Sequence, residues 1–475
     1  MTTEHATSDL FDADHLAAWV ATQAGFARVP GVQYAVRVGD DLVLEGAWGV
    51  ADVTTGEPLR PDHVFRVASH SKTFTATAVA RLADRGALRL DDPFEVHLPE
   101  LVGAPVGRVT LREALGHTGG VRRDGRDADF WQLGAPFPDR GTLVQSVLLD
   151  GAVLGRGEVF KYSNLAYGLL GLVVQAVTGA PFADHVRDDL LEPLGLRRTT
   201  AEHADGPAHV VGHSALGVAD DGRLPVAPVR TGALAAATGF CSTAADLTRW
   251  FAAHADGSDL LRPETRLLLQ RDESVIDRPH ARLRRYGLGL ESREIEGRRV
   301  VGHGGAFPGQ LSRTWADPAG RVVVSVLTNA VDGPAETIAT GLFALVATAL
   351  DAGAPGSDVD VEALDRRAGR FANLWGLTDV VRLGQELWLI DPRREDPLAG
   401  AERLVADGED LRLPFHPGFG APGEAVEVLP GPDGRPAGIV VGGLTSWRAD
   451  DYERERRAQL EALGARGIKA RGTSA

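Results

Sequence analysis

The chain has 475 residues, too many for one average domain, so two domains are expected. Its 44% hydrophobic and 24% charged residues are ordinary for a folded soluble protein. With 65 acidic against 50 basic side chains the net charge is −15, which argues against nucleic-acid binding, because phosphate affinity needs a concentrated basic surface.

Residues 1–14 are polar and acidic and lack the basic and apolar stretches of a secretory signal. A first helix is predicted over 14–28, then strands over 32–38 and 41–48 joined by Gly39-Asp40. Residues 71–85 read as a helix: Phe74, Ala78, Val79 and Leu82 recur at helical spacing, and Gly86 stops it. Thr110-x-x-Glu113 is a capping box for a short helix ending before Gly119-Gly120. Another helix covers 165–178, with Leu169, Leu170, Val173 and Val177 on one side and Gly179 behind; one more begins near Thr243-x-x-Asp246. From about residue 286 the pattern turns to strands over 286–295, 298–302, 311–316 and 321–328, with Asp317-Pro318-Ala319-Gly320 the clearest turn. A helix near 335–352 closes this part. Its apolar stretch, 337–350, is short and contains Thr and Gly, so no transmembrane span is expected. Strands at both ends of a helical middle predict an α+β domain with an antiparallel sheet.

Residues 352–360 (AGAPGSDVD) read as a linker. Short strands follow at 379–383, 386–390, 411–414, 426–429 and 438–441, with Gly431-Pro432-Asp433-Gly434 a strong turn, predicting a small β-barrel or sandwich. Residues 451–463 suit a helix. The expected organisation is therefore an α+β domain over 1–352, a linker at 353–360, a β domain over 361–450 and a tail over 451–475. The single cysteine, Cys241, excludes an internal disulfide and fits a reducing compartment. Together with the N-terminal composition it gives the expectation of a cytoplasmic protein.

Only three of the 50 basic side chains are lysine: Lys72, Lys161 and Lys469. Where arginine otherwise supplies positive charge, a retained lysine points to a task arginine cannot do, and a buried lysine can be tuned to act as a base. Lys72 stands three residues after Ser69. If Ser69 opens the helix, this spacing sets the amine beside the hydroxyl, where helix-terminal N–H groups favour a developing oxyanion. The bland alternative is that Ser69 is a plain N-cap. Tyr162-Ser163-Asn164 precedes the strong 165–178 helix and adjoins Lys161. A tyrosine near cations can carry protons through a stabilised phenolate, and Asn164 could hold a substrate amide or orient Lys72. Here the alternatives are a core tyrosine and an N-cap asparagine. Gly302-His303-Gly304-Gly305 sits among the strands, where glycines let a substrate backbone approach and His303 would present a polar group; a turn with a surface histidine is the other reading.

In this order the motifs resemble the serine β-lactamase and penicillin-binding-protein-like hydrolases, the branch around class C β-lactamases, esterases and D-aminopeptidases. That family carries S-x-x-K, then Y-x-N, then K-T-G or H-x-G. The match is Ser69–Lys72, Tyr162–Asn164 and His303–Gly305, within a resemblance spanning roughly residues 15–350. Phe65-Arg66-Val67-Ala68, Leu115-Gly116-His117-Thr118-Gly119-Gly120 and Tyr286-Gly287-Leu288-Gly289 also look family-like. The resemblance implies that Ser69 is acylated, that Lys72 and Tyr162 shuttle protons, and that the Ser69 and Ala306 N–H groups form the oxyanion hole. Asn164, His303, Gly304 and Gly305 would position the substrate, and His117 would buttress a loop. No metal or organic cofactor is implied. In the family the K-T-G lysine favours the β-lactam carboxylate, whereas the histidine form is common among peptidases and esterases, so β-lactamase activity is the lesser expectation. The C-terminal region resembles the lipocalin-like barrel of some of these peptidases and of penicillin-binding-protein-type thioesterases, which release and cyclise nonribosomal peptides at a D-configured residue. The implied partner is a small-molecule or peptide substrate, or a peptide tethered to a carrier protein; neither nucleic acid nor membrane is expected.

Other hydrolase classes fit less well. Gly212-His213-Ser214-Ala215-Leu216 fails the last position of G-x-S-x-G and has no βαβ surroundings. No H-E-x-x-H occurs, and one cysteine cannot make a Cys-rich zinc site. The glycines near His303 lack the G-K-[ST] of a phosphate loop. From a different class, a non-catalytic scaffold would normally have lost Ser69, Lys72 or Tyr162, and all three are present.

Overall fold

A computed structural model of the chain describes residues 10–204, 209–220, 222–255, 257–276, 283–353, 359–407, 410–417, 420–432 and 434–472. Positions 354–358 of the expected linker and Asp433 of the expected turn lie outside the described residues. Contacts divide the chain into two compact units, Ala27–Phe343 and Met1–Phe26 with Ala344–Ala475.

The Ala27–Phe343 unit is built on a nine-stranded sheet: β1 (Gly31–Val38), β2 (Asp41–Asp52), β3 (Glu57–Pro58), β4 (Ser274–Ile276), β5 (Arg284–Tyr286), β6 (Glu291–Ile295), β7 (Arg298–Phe307), β8 (Gln310–Asp317) and β9 (Val322–Thr328). Their order is β3-β2-β1-β9-β8-β7-β6-β5-β4, and every pairing is antiparallel. The first strand therefore closes on the last, with Val32 opposite Thr328 and Val38 opposite Val322. Both are buried at every position, which explains their continuous Val-rich character. This is the expected α+β fold with its antiparallel sheet.

Two strands differ from expectation. The predicted 286–295 strand is interrupted, because Gly289 takes a left-handed φ of 83° and the Gly287 N–H turns back onto the Leu290 carbonyl. The strand predicted to stop at Gly302 runs on to Phe307. Glycines give little local strand signal, yet pairing of Gly305 with Ser312 and Ala306 with Leu311 holds the extension.

Between β3 and β4 lies the helical part. Helix Ser71–Asp84 is buried along most of its length, and its Phe74 ring stacks 4.0 Å from Trp250 and 4.5 Å from Phe240. The predicted capping box at Thr110 is formed. Thr243 caps helix Ala244–Ala252, which packs on β1 and β9. Helix Asn164–Thr178 starts one residue earlier than expected, with the Ser163 hydroxyl accepting from the Ala166 N–H, and ends at Gly179 with φ 72°. Helix Ala335–Ala352 is the one single helix among the described residues long and apolar enough to cross a membrane, contrary to the expectation of no such run; 61% of it is buried inside the protein, as in a core helix.

In the other unit, β10 (Gly369–Asn373), β11 (Gly376–Leu383), β12 (Glu386–Ile390), β13 (Glu402–Arg403), β14 (Val405–Asp407), β15 (Asp410–Arg412), β16 (Ala425–Pro430), β17 (Pro436–Val441) and β18 (Leu444–Arg448) form a second sheet in the order β13-β12-β11-β10-β18-β17-β16-β15-β14. Its end strands β13 and β14 flank a single residue, Leu404, so the sheet is a nearly closed nine-stranded antiparallel barrel. Phe371, Val380, Leu387, Leu404, Leu411 and Ile439 belong to its core. Helix Ala13–Ala27 joins this unit through Gln23, whose amide donates to the carbonyls of Pro392 (2.8 Å) and Arg394 (3.0 Å). The tail is a helix, Ala449–Gly472.

Candidate active site

Ser69 sits in a single turn of 3-10 helix, Ala68–His70, that leads directly into helix Ser71–Asp84, whose start at Ser71 is the one expected. Ala68 before it has φ 48°, a left-handed conformation that L side chains rarely adopt and that holds the serine out of the regular helix. The turn is fixed from behind. His70 is fully buried, with Nδ1 3.0 Å from the Ser312 hydroxyl and Nε2 2.9 Å from that of Thr314, both on β8. Burial pushes its imidazole well below the ordinary range, so it is a neutral strut between turn and sheet. Gly305 makes the approach of β7 possible: a Cβ there would lie 2.1 Å from the Val67 carbonyl oxygen and 2.3 Å from Ser312 Oγ.

The i,i+3 spacing works as predicted. Lys72 Nζ lies 3.2 Å from Ser69 Oγ, 2.8 Å from Asn164 Oδ1 and 2.8 Å from the Ala237 carbonyl. Lys72 is fully buried, and this desolvation drives its amine well below the normal lysine range; Asp124 opposes the shift and Arg123 adds to it. A neutral amine has two N–H groups and one lone pair. The two carbonyl acceptors take the N–H groups, leaving the lone pair for the Ser69 hydroxyl proton. Tyr162 completes the arrangement by donating to Ser69 Oγ at 2.8 Å. Its phenol is raised above the ordinary range, chiefly by burial, and the Ser69 bond and Arg123 only partly offset this. The expected phenolate stabilisation by neighbouring cations is therefore outweighed: Tyr162 rests protonated and suits a relay of protons rather than the resting base.

Asn164 orients Lys72 through its oxygen, while its Nδ2 donates to Asp124 Oδ1 at 2.7 Å. Asp124 was not singled out from the sequence; it lies in a loop 40 residues from Asn164, with no motif around it. Its neighbour Arg123 is exposed, with its guanidinium 5.7 Å from the Tyr162 ring centre. His117 is buried among Phe160, Tyr162, Tyr167 and Tyr286 and accepts from the Ser163 N–H at 3.2 Å, so it supports the Tyr162 loop, as expected.

On β7, Gly304 is half-buried and Ala306 exposed, whereas His303, Gly305 and Phe307 are buried, the alternation of a strand with one open face. His303 Nε2 lies 3.0 Å from the Tyr286 hydroxyl and Nδ1 2.6 Å from the Gly304 carbonyl. Burial outweighs Glu291 and brings its imidazole down to about 4, so Nδ1 donates to the carbonyl and Nε2 accepts from Tyr286. Glu291 itself, although burial pushes it up, is drawn down to about 2 chiefly by Arg313, whose guanidinium it binds at 2.9 Å. Neither Tyr286 nor Glu291 was identified as a site residue from the sequence. Ser69, Lys72, Tyr162 and Asn164 are thus brought into one bonded cluster, and His303 is held in a second one.

The beta-lactamase family profile matches residues 16–348, and the chain is 32% identical over 333 residues to penicillin-binding protein 4 of Amycolatopsis lactamdurans, covering 66% of this chain and 84% of that protein. In three dimensions it is similar to a D-stereospecific amidohydrolase from a Streptomyces species (28% identity, TM-score 0.59, 68% of this chain and 95% of that one). It is also similar to SurE with D-Leu (26% identity, TM-score 0.57), a likeness that covers 92% of this chain and 99% of that one. The chain belongs to the beta-lactamase family, the fold of serine hydrolases and penicillin-binding proteins.

Proposed function

We propose that the protein is a serine acyl-enzyme hydrolase or acyltransferase acting on peptide, ester or thioester carbonyls with a D-configured residue on the acyl side. The observation that carries this reading is Ser69 Oγ held between Lys72 Nζ at 3.2 Å and the Tyr162 hydroxyl at 2.8 Å, with the lysine fully buried. The neutral Lys72 amine takes the Ser69 proton as Oγ attacks the carbonyl carbon. The developing oxyanion is received by the Ser69 and Ala306 N–H groups, and the proton passes through Tyr162 to the leaving group. Water then releases the acyl group by hydrolysis, or a substrate amine releases it by transfer or cyclisation.

The D-configuration is supported by the likeness to a D-stereospecific amidohydrolase and to SurE with D-Leu. Asn164 is committed to Lys72 and Asp124, so its part is to orient the base. Both nitrogens of His303 face protein groups, and histidine stands where K-T-G members carry the lysine that favours a β-lactam carboxylate, which makes a β-lactamase or DD-carboxypeptidase the weaker alternative. The substrate is a small molecule or peptide, or a peptide carried on a carrier protein, and the place of action is the cytoplasm.

Intact-mass spectrometry after incubation with a peptidyl thioester ending in a D-residue, and separately with a fluorophosphonate, tests this. Wild type is expected to gain the acyl or phosphonyl mass and Ser69→Ala to gain neither. Linear acid as product selects hydrolysis and macrocycle selects aminolysis. Turnover by Ser69→Ala would overturn the assignment, and a wild type inert to both reagents would point to a non-catalytic scaffold.

A further inference from the structure

Outside the catalytic cluster, three side chains capable of ligating a metal converge in the Ala27–Phe343 unit. The ligating atoms of His203, His209 and Cys241 all lie within 4.8 Å of one another, the one such His, Cys or acidic group among the described residues. Their backbones are pinned to a common support. Cys241 pairs with Arg66 on one side and with Thr200 on the other, and His209 bridges Val64. His203 follows Thr200 by three residues and its neighbour Glu202 is anchored to Thr231 at 2.7 Å. The rings of His203 and His209 stand edge to face, 4.4 Å between centres and 64° apart, an arrangement that lets two imidazole nitrogens aim at one point. Both line a cavity of about 290 Å³ together with Arg66, Phe307 and Gln310.

We propose that His203, His209 and Cys241 bind one divalent ion of the zinc class, with water at the fourth position facing this cavity. Zinc–nitrogen and zinc–sulfur bonds of about 2.0–2.3 Å set ligand atoms roughly 3.4–3.7 Å apart in a tetrahedron. Closing from the observed spacing takes about an ångström, within reach of χ rotations in two half-buried histidines. Two imidazoles and one thiolate suit zinc or cobalt better than calcium or magnesium, which take oxygen ligands. On binding, the Cys241 thiol loses its proton to solvent and the sulfur takes the metal in its place. Burial pushes that thiol up to about 12, so without a metal it stays protonated and inert. The nearby Arg66 cation does not oppose the ion unopposed: its guanidinium is committed to the carbonyls of Gly239 and Val229 and lies 3.6 Å from the Glu202 carboxylate. The ion would fasten the His203 and His209 segments to Val64–Arg66, the stretch that leads directly into the Ser69 turn.

The test is titration of the metal-stripped full chain with Co²⁺, followed by Zn²⁺ and elemental analysis after dialysis. One equivalent is expected, with the d–d bands of a four-coordinate site and a sulfur-to-cobalt charge-transfer band that Zn²⁺ abolishes. Cys241→Ser should remove the charge-transfer band. His203→Ala, at a half-buried position, should weaken binding at least tenfold while far-UV circular dichroism and Ser69 labelling remain. Absence of stoichiometric metal in the wild type, or one-equivalent binding unchanged in Cys241→Ser and His203→Ala, would overturn the proposal.

Discussion

Replacing Lys72 by Met tests the protonation state on which the chemistry depends. In the unfolded chain the lysine carries its proton up to a pKa near 10.5, whereas in the folded protein burial lowers that pKa well below it. Between the two values the unfolded state binds one more proton at this residue. Wild-type stability should therefore rise with pH in that window by about 1.4 kcal/mol per pH unit from this residue alone, levelling off above the unfolded pKa and below the folded one. Lys72→Met lacks the term, and the other titrating groups cancel when the two proteins are compared. Urea unfolding of both at about pH 7 and pH 9 should show the stability difference moving in favour of the wild type as the pH rises, by at most about 1.4 kcal/mol for each pH unit that lies above the folded-state pKa. The absolute offset depends on a second effect, since Met leaves Asn164 Oδ1 and the Ala237 carbonyl without their 2.8 Å donor, at about 1–3 kcal/mol each. That offset does not vary with pH, so the slope isolates the lysine. Parallel pH profiles for the two proteins would mean that Lys72 keeps its proton when folded, and the base would have to be sought elsewhere.

Tyr162→Phe keeps the ring and removes the donor to Ser69, so single-turnover acylation should fall by about 10²–10⁴ while substrate affinity changes little; an unchanged rate would remove Tyr162 from the proton path. Asp124→Asn deletes the carboxylate that favours the protonated form of Lys72, so the acid limb of the acylation pH profile should move to lower pH, and an upward movement would contradict the electrostatics. Gly305→Ala places a methyl group 2.1 Å from the Val67 carbonyl oxygen, and overpacking of about 1–3 kcal/mol should lower Tm together with the acylation rate. Full activity at an unchanged Tm would show that β7 can shift away from the Ser69 turn without consequence.

The cluster of Ser69, Lys72 and Asn164 was legible because local geometry brings its members together or to an element start. Three residues along one turn place Lys72 beside Ser69, and Ser163 caps the helix that begins at Asn164. The joining of those two segments was available only through resemblance, since 92 residues separate Lys72 from Asn164. Asp124, Glu291 and the Ala237 carbonyl left no such mark. Two are charged residues among 65 acidic ones and the third is a backbone atom, and each acts through tertiary contact alone. The barrel was read from its longer strands, but its closure depends on β13 and β14, two and three residues long, below the length at which alternation can be seen.

Helix Ala13–Ala27 is translated long before its partner, since the carbonyl that receives the Gln23 amide lies 369 residues further on. At about 5–20 residues per second, that helix waits roughly 20–75 s for its barrel partner. Strand β1 likewise awaits β9 near residue 328. Leu16, Trp19 and Val20, buried in the finished protein, are therefore uncovered throughout translation of residues 69–306. Nascent chains stalled before residue 390 should accordingly be captured by holding chaperones at this N-terminal segment, and a chain lacking residues 1–26 should begin life less sticky but end with a defective barrel-bearing unit.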